Sequence, residues 1–295
     1  MKVPKIEKVV VPSPDQIKSD VRHVREWMSK EPHLPKIDDD EWLTTFLYHN
    51  KFSLETTKRK LDGYYSMRNK YPHIFKNRDP LSKELTETTK MCQAFVSKDL
   101  TKDTNARLLL LQFDPDPSAF DFIYTIRRMS MSLDMLMLEK DRLNSYIIIM
   151  DGKNLHYRHF LRMLGDIATG SDIFNNAYTE RIELINIINA PPFTDILVDN
   201  IKVFFPKKYS DRIFIHTTAK NNITEMVHVD ALPSDYGGKG PSTKECEEWT
   251  LKKMAEYRDW YIEQDNVCTN EALRRRDTKQ QEELRGSFRK LERYN

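Results

Sequence analysis

The residues of this chain that could do chemistry are few and scattered. His156 and His159 stand three apart on a predicted helix, but no glutamate lies between them as in a metalloprotease, and no third metal ligand follows at a typical spacing. The glycine-rich stretch 237–240 departs from the spacing of a phosphate-binding loop and runs into Pro241. The GxSxG motif of an esterase is absent. These patterns argue against metal or nucleophilic catalysis, and we expect no cofactor.

Three aspartates follow predicted strands, where α/β enzymes often place catalytic groups. Asp151 ends one apolar run, and Asp114 and Asp116 follow another. Aspartate in such positions more often caps the next helix or opens a turn. A hydrolase or reductase that uses Asp151 and His156 is therefore the weakest interpretation, and we expect a protein that is not an enzyme.

The composition is that of a globular protein without a global charge signal. The chain has 295 residues, 39% of them hydrophobic, and 47 basic side chains nearly balance 45 acidic ones. Nothing in this balance indicates a nucleic-acid partner. The cysteines Cys92, Cys246 and Cys268 fit a reducing compartment. No stretch approaches the roughly 18 apolar residues of a membrane span, and the N-terminus lacks a signal peptide's apolar core, so we expect a cytoplasmic protein.

The first third of the chain shows helical periodicity. From Asp15 to about Val96 the pattern predicts helices throughout, the first over 15–29 with Ile17, Val21, Val24 and Met28 on one side. The acidic run 38–41 suits the N-terminus of a second helix, where carboxylates accept hydrogen bonds from free backbone N–H groups. A cation site is the less favoured interpretation of that run. We predict an N-terminal helical lobe over residues 1–100.

The pattern changes after residue 100. Short apolar runs at 107–113, 146–151, 184–189 and 212–217 alternate with helical stretches at 118–143, 156–180 and 193–205. The first three runs are too continuously apolar for strands with one wet face, so they predict buried parallel strands. We expect an α/β domain over 101–242 with a largely parallel sheet and right-handed crossover helices.

A charged helical tail is predicted over 243–295. It contains Arg274, Arg275 and Arg276 and a thin apolar stripe of Leu284, Phe288 and Leu291. We expect this tail to pack across the N-terminal lobe.

The stretch 193–205 is a short helix with a wide apolar face. Pro191 and Pro192 precede it, Pro206 ends it, and Lys207 and Lys208 follow at once. The same domain is rich in methionine and aromatic side chains, more than one small sheet needs for its core. The surplus indicates a cavity with apolar walls that holds something other than protein.

Taken together, these segments resemble the CRAL-TRIO family of lipid-transfer proteins, in particular its tocopherol-transfer and retinaldehyde-binding branch. The likeness is carried by DDEWLTTFLYHNKF in the helical lobe, IIIMD in a central strand, INIINAPPFTDILVDNIKVFFPKKYSDRIFIH, and LPSDYGG in a closing turn. The resemblance implies a hydrophobic pocket closed by a gate helix at 193–205. In that family the gate seals the ligand inside and touches membrane when open.

The resemblance also implies site residues. Basic side chains beside the gate would contact phosphoinositide headgroups, at Arg181, Lys208 and Arg212. Ser130, Ser132 and Tyr178 could donate one hydrogen bond to a hydroxyl or aldehyde of the ligand. The pocket is expected to be lined by Met129, Ser132, Met135, Ile147, Ile149, Phe160, Met163, Ile167, Ile173, Phe174, Tyr178, Ile182, Ile185, Ile187, Phe193, Leu197, Ile201 and Phe204.

The implied function is a monomeric cytosolic carrier that moves a tocopherol, retinoid or other isoprenoid-like lipid between membranes and touches them only transiently. The alternative is a signalling or trafficking adaptor that senses phosphoinositides with the same fold. One departure bears on the headgroup site: the family commonly has arginines in an early helix, where this chain reads Phe46-Leu47-Tyr48-His49-Asn50. Whether phosphoinositide binding survives that change stays open at this point.

Overall fold

The computed structural model describes residues 9–140, 145–179, 181–217 and 223–275. The predicted stripe of Leu284, Phe288 and Leu291, together with Arg276, lies outside the described residues. The N-terminal lobe consists of five helices: α1 (Pro14–Lys30), α2 (Asp40–His49), α3 (Leu54–Lys70), α4 (Pro72–Phe75) and α5 (Lys83–Met91).

The starts of the first two helices follow from their capping residues. The Ser13 side chain accepts a hydrogen bond from the backbone of Gln16, with proline at the first helical position. At α2 the Asp39 carboxylate accepts from the backbone N–H groups of Glu41 at 2.9 Å and Trp42 at 3.1 Å. The interpretation of the acidic run as a helix cap is therefore confirmed.

A five-stranded sheet forms the centre of the second half, in the order β1-β2-β3-β4-β5. Strands β2 to β5 are parallel, and β1 pairs antiparallel with β2 at one edge. The fold is therefore an N-terminal helical lobe followed by a largely parallel sheet. The strands are β1 (Cys92–Val96), β2 (Ala106–Phe113), β3 (Ser145–Asp151), β4 (Ile182–Ala190) and β5 (Ile213–Thr217).

Strand β1 corrects the sequence prediction, which made residues 15–96 helical throughout. Its five residues are too few to show a period, and their pairing with β2 decides their conformation. The sheet therefore begins before residue 101, inside the segment predicted as the N-terminal lobe.

The strand order decides where the crossover helices lie. Each parallel strand sits beside its neighbour in the chain, so right-handed crossovers place all the intervening helices on one face of the sheet, the front face. The helix predicted over 118–143 is shorter in the structure, and the helix predicted over 156–180 is divided into two helices. The helix predicted over 193–205 is an α-helix followed by a 3₁₀ turn at Lys202–Phe204. The crossover helices are α6 (Phe122–Leu138), α7 (Tyr157–Met163), α8 (Ile167–Ala177), α9 (Thr194–Ile201) and α10 (Lys207–Ser210).

The opposite, back face of the sheet is covered by the chain that follows β5. Ile223, Val227 and Leu232 pack there with Cys246 of the next long helix. Helices α11 (Ile223–Met226), α12 (Thr243–Glu256) and α13 (Arg258–Glu263) complete the described elements.

The described part of the tail packs on the N-terminal lobe only in part, because α12 lies against the sheet and α6, and the chain after it reaches both α6 and the lobe. The hydroxyl of Tyr261 donates to the Met131 carbonyl at 2.6 Å. Arg68 of α3 donates to the carbonyls of Gln264 and Val267, both at 2.9 Å. Arg274 is held by the Asp62 carboxylate at 2.7 Å.

A buried ionic cluster joins the two halves of the molecule. Asp134 of α6 is fully buried and lies 2.6 Å from the guanidinium of Arg78, which is fully buried as well. The hydroxyls of Tyr64 and Tyr178 each donate to Asp134 at 2.9 Å, and Arg68 lies 3.8 Å away. Burial, followed by the charge of Asp134, raises the pKa of both tyrosines, so they remain neutral donors.

Within the described ranges, no helix combines the length and the apolar composition that crossing a bilayer requires.

Candidate functional site

The α9 segment lies on the front face between two proline-bounded turns. Pro191 and Pro192 separate it from β4, and Pro206 separates its 3₁₀ extension from α10. Its start is fixed by a hydrogen bond from the Thr194 hydroxyl to the Pro191 carbonyl at 2.7 Å. Proline has no backbone N–H and cannot continue a helix, so these turns separate α9 from β4 and from α10.

The inner side of α9 packs on the sheet. Leu197 and Val198 are buried, and Val198 contacts Ile187 and Ala190 of β4. Leu197 belongs to a larger group that we call the front cluster. Its buried members are Cys92, Ala94, Leu111, Phe113, Phe120, Leu155, Phe160 and Leu197, and the half-buried Phe122, Met129, Met150, Met163, Phe193 and Ile201 pack against them.

The outer side of the α9 segment carries apolar side chains into solvent. Ile196 is 65% exposed and Val203 is 79% exposed, and Phe204 is exposed beside them. The neighbouring α7 adds exposed Tyr157, Leu161 and Leu164, and the Tyr157 ring lies 6.1 Å from that of Phe193. We call these six exposed residues the outer apolar face. Exposed apolar side chains grouped in this way typically mark contact with a membrane or a partner.

A side-chain hydrogen bond from α8 holds the end of this segment. The hydroxyl of Ser171 in α8 donates to the Phe204 carbonyl, and the Asn175 amide donates to the same hydroxyl at 2.9 Å. Most of the remaining hold on α9 is apolar packing.

The structure brings part of the predicted ligand-binding set together. These residues lie in the front cluster or beside it under α9: Met129, Phe160, Met163, Ile187, Phe193, Leu197 and Ile201. Ile185 is half-buried on β4, Ile167 and Ile182 are buried, and Phe204 belongs to the outer apolar face.

Other predicted members lie elsewhere. Ile147 and Ile149 sit on the back face with Leu108, Leu110 and Leu184, because alternate residues of a strand point to opposite faces. The four residues that pack into the core shared with the N-terminal lobe are Met135, Ile173, Phe174 and Tyr178.

The predicted polar ligand contacts are already occupied within the protein. The Tyr178 hydroxyl donates to Asp134 at 2.9 Å and also lies 3.2 Å from the Ser130 carbonyl. The Ser132 hydroxyl donates to the Arg128 carbonyl at 3.2 Å. The Ser130 hydroxyl donates to the Ile126 carbonyl at 2.9 Å. All three hydroxyl protons are therefore bonded within the protein, whereas the sequence prediction had these residues donate to a ligand.

Residues 100–238 match the CRAL/TRIO domain. This match supports the CRAL-TRIO family and a lipid-binding, transfer-type function. Residues 13–85 match the Pinta-like, UBA domain. The match to the CRAL/TRIO domain covers β2 to β5 and all of α9, whereas β1 precedes it.

Curated relatives extend the similarity across both lobes. Clavesin-1 of Xenopus laevis is 26% identical over 237 residues, which cover 78% of this chain and 70% of that protein. Clavesin-2 of Mus musculus is 23% identical over 234 residues, covering 78% of this chain and 71% of that protein. Among solved structures, the crystal structure of Sfh5 covers 83% of this chain and 98% of its own, at 14% identity and a TM-score of 0.46.

Sequence reasoning missed several side chains of the front cluster. Met150 packs against the front cluster and also against the cluster that Val198 forms with β4. Leu111, Phe120 and Leu155 are buried members of the front cluster. The available signal was the alternation along β3, which places Ile148 and Met150 on one face and Ile147 and Ile149 on the other.

The apolar interior between the sheet and α6 is closely packed. The cavity enclosed by β1, β2 and α6, which Met129 and Ser132 help to line, measures about 10 Å³. That is room for about one water molecule. A lipid could therefore enter this region only if α9 or the side chains of the front cluster moved.

The three predicted headgroup residues lie at one end of the sheet, where β4 and β5 begin, but in different surroundings. Lys208 is exposed, with its ammonium 4.5 Å from the centre of the Tyr209 ring. Arg212 donates to the Ile182 carbonyl. Arg181 is half-buried, and this burial lowers the pKa of its guanidinium. The nearby Tyr48 and Tyr146 act in the opposite direction and raise that pKa.

The candidates for catalysis are engaged in structural contacts. The Asp151 carboxylate accepts hydrogen bonds from the Lys153 backbone at 3.0 Å, the Asn189 amide at 2.9 Å and the Tyr236 hydroxyl at 3.0 Å. The backbone N–H of His156 donates to the His159 ring at 3.0 Å. No group of three or more potential metal ligands occurs in the ranges that the structure describes.

His159 predicts a pH dependence of stability. It is fully buried between the rings of Phe113 and Phe120, at 5.3 and 5.2 Å, and burial followed by the charge of His156 lowers its pKa. A histidine whose pKa is lower in the folded than in the unfolded chain stabilises the fold above the unfolded value of about 6.5. That stability is lost as the pH falls through the folded pKa.

We therefore expect the free energy of unfolding to decrease as the pH falls below about 6.5. In the variant His159→Gln, the slope of this free energy against pH should be smaller. Urea unfolding between neutral and mildly acidic pH measures the effect. His23→Gln, at an exposed position of α1, is the control and should leave the slope unchanged. An equal slope in all three proteins would show that His159 does not titrate between the folded and unfolded states.

Proposed function

We propose that this chain is a carrier, without enzymatic activity, that binds a small hydrophobic molecule beneath α9 and transfers it between membranes. The observation that carries the proposal is the α9 segment itself. It buries Leu197 and Val198 on the sheet, exposes Ile196 and Val203, and is bounded by prolines at both ends. A helix with apolar residues on both sides can be stable against the sheet and also against a membrane.

The energetics of opening support this role. Lifting α9 exposes Leu197 and Val198, which costs about 1.5–3 kcal/mol for each side chain. Inserting Ile196, Val203 and Phe204 into a bilayer returns a free energy of similar size per side chain. Opening is therefore unfavourable in water and close to balanced at a membrane, so α9 would open where the ligand is exchanged.

The ligand class follows from the side chains under α9. Burying on the order of 400 Å² of apolar ligand surface contributes about 10 kcal/mol, enough to compete with an association cost of ~4–15 kcal/mol. The front cluster offers aliphatic, methionine and aromatic side chains, and the hydroxyls once expected to face the ligand are engaged elsewhere. This surface favours a tocopherol, retinoid or other isoprenoid-like molecule over a lipid with a charged headgroup.

Membrane contact by the outer apolar face would be aided by Lys208. This side chain is exposed four residues after Phe204, so it lies beside the inserted segment and could pair with a phosphoinositide headgroup. A cation near an anionic membrane surface contributes about 1 kcal/mol. The protein would accordingly be cytoplasmic, monomeric and peripheral at membranes.

Reversing the charge of Lys208 tests this contact. Lys208→Glu removes about 1 kcal/mol of attraction and adds repulsion of similar size, so affinity for phosphoinositide vesicles should fall roughly 30-fold. Co-sedimentation with such vesicles measures it. Lys244→Glu is the control, since Lys244 is also exposed but lies on α12. Equal losses in the two variants would assign the effect to overall charge instead.

The function is tested by a transfer assay. A fluorescent tocopherol should move from donor to acceptor vesicles faster with the protein than without it, in proportion to protein concentration. A second candidate, a phosphoinositide-sensing adaptor, is favoured by the close packing of the interior beside α6. Tight vesicle binding without any acceleration of transfer would support the adaptor and contradict the carrier.

A further inference from the structure

A second, polar cavity lies where the parallel strands end. Its volume is about 820 Å³, within the range of small-molecule sites. It is bounded by the carboxyl ends of β2, β3 and β4 and by the start of α12, and we call it the carboxyl-end cleft. It is lined by Gln93, Gln112, Phe113, Asp114, Pro115, Asp151, Lys153, Asn154, Asn189, Asp235, Tyr236 and Thr243.

The floor of the carboxyl-end cleft belongs to the back face of the sheet. Gln112 and Asp151 are partners in the register of β2 and β3. Leu110 and Ile149, two residues earlier in each strand, pack in the back-face core, so strand alternation places Gln112 and Asp151 on that side too. The sheet thus separates Gln112 and Asp151 from the front cluster, whereas Phe113, at the end of β2, belongs to the front cluster and also borders the cleft. The proposed lipid site therefore does not account for the polar floor of the cleft.

The hydrogen bonds inside the cleft fix which way its polar groups face. Its amide and tyrosine donors bond to protein acceptors, which leaves acceptor oxygens to meet a ligand, whereas the Lys153 ammonium and the Thr243 hydroxyl bond to no acceptor among the described residues. The amide oxygens of Gln112, Asn154 and Asn189 receive no hydrogen bond from any described residue. The donor bonds run from Gln93 to Glu247 at 3.0 Å, Gln112 to the Tyr236 hydroxyl at 2.6 Å, Tyr236 to Asp151 at 3.0 Å, Asn154 to the Phe113 carbonyl at 3.0 Å, and Asn189 to Asp151 at 2.9 Å.

The charged side chains of the cleft also favour a ligand that donates hydrogen bonds and carries positive charge. Three carboxylates, Asp114, Asp151 and Asp235, line it against one ammonium, that of Lys153. Asp114 uses one carboxylate oxygen to accept from the Asp116 backbone at 2.8 Å, and its other oxygen has no hydrogen-bond partner in the described part of the chain. A phosphate or carboxylate ligand would meet repulsion and few free donors here.

We infer that the carboxyl-end cleft binds a small organic cation with several N–H donors, of the polyamine or guanidinium type. Such a ligand supplies the donors that the amide and carboxylate oxygens lack, and its positive charge offsets the three carboxylates. The Tyr236 ring, which lines the cleft, provides contact for its methylene groups. This inference does not depend on the proposed lipid carriage.

The probe for the test is spermidine, added to the full-length protein at low ionic strength and followed by isothermal titration calorimetry. We expect one binding site per chain. Asp114→Asn and Asp235→Asn each keep the side-chain shape and remove one charge, so each should weaken binding about tenfold. Asp259→Asn is the matched control, since Asp259 is exposed and lies outside the cleft.

Two variants guard against a change in local structure, because Asp235 also accepts a hydrogen bond from the Thr243 backbone at 2.5 Å. Asp114 has no such contact with α12, so losses in both variants with unchanged circular dichroism support the inference. The inference would be overturned by absence of spermidine binding, by equal affinities in the two variants, the control and the parent protein, or by tighter binding of inorganic phosphate than of spermidine.

Discussion

Asp134→Asn should lower the free energy of unfolding by about 3–5 kcal/mol, the cost typical of breaking a buried ion pair. Asp134 lies 2.6 Å from Arg78, and neither side chain is exposed to solvent. Asparagine retains the shape and one acceptor but loses the charge that compensates Arg78 and the nearby Arg68. Two guanidinium groups would then remain in the core without a carboxylate.

Urea denaturation at neutral pH measures this loss, and Asp38→Asn serves as the control because its side chain is 72% exposed. The control should change stability by less than about 0.5 kcal/mol. A loss below about 1 kcal/mol in Asp134→Asn would mean that the cluster contributes little to joining the two halves. The variant should also loosen the N-terminal lobe, since Tyr64 of α3 and Tyr178 after α8 both donate to Asp134.

Ile196→Asp combined with Val203→Asp should slow transfer of a hydrophobic ligand between vesicles by at least about tenfold. Each change replaces an insertion gain of about 1.5–3 kcal/mol by the cost of bringing a carboxylate to the bilayer. Because both positions are more than half exposed, the free energy of unfolding should change little. Ile201, by contrast, packs against the front cluster, so an aspartate there would also disturb the interior.

The matched control is Val10→Asp combined with Leu273→Asp, which introduces the same charges at exposed apolar positions outside the α9 segment. Transfer rates and vesicle affinities of both double variants are compared with those of the parent protein. If the control slows transfer as much as the α9 variant, net charge and not α9 governs membrane contact. Unchanged transfer in both variants would remove α9 from the mechanism.

The sequence was most informative where a pattern is local. Proline positions predicted the isolation of α9, and the acidic run predicted the cap of α2, because both effects act within a few residues of the chain. The apolar runs predicted β2 to β4 because strands buried on both faces lack a polar face, whereas β5 is only half-buried. Cys92–Val96 carried no comparable signal, since pairing with β2 determines its conformation.

The same features limited prediction of the site. The sequence of a strand buried on both faces does not show which face is turned toward α9. Ile147 and Ile149 were therefore predicted as ligand-binding residues, although Met150 is the β3 residue that packs against the front cluster. Tyr178 was expected to meet a ligand, yet its hydroxyl bonds with Asp134, 44 residues earlier in the chain. The carboxyl-end cleft could not be foreseen, because its lining comes from segments between residues 93 and 243 that only the folded sheet brings together.

The central claim is that an apolar molecule is held beneath α9. Its most direct test is mass spectrometry of the organic extract from protein that has been incubated with a total lipid extract and repurified. The account predicts about one small hydrophobic molecule per chain, with little or no phospholipid. Recovery of no hydrophobic molecule, from protein that still binds phosphoinositide vesicles, would contradict it.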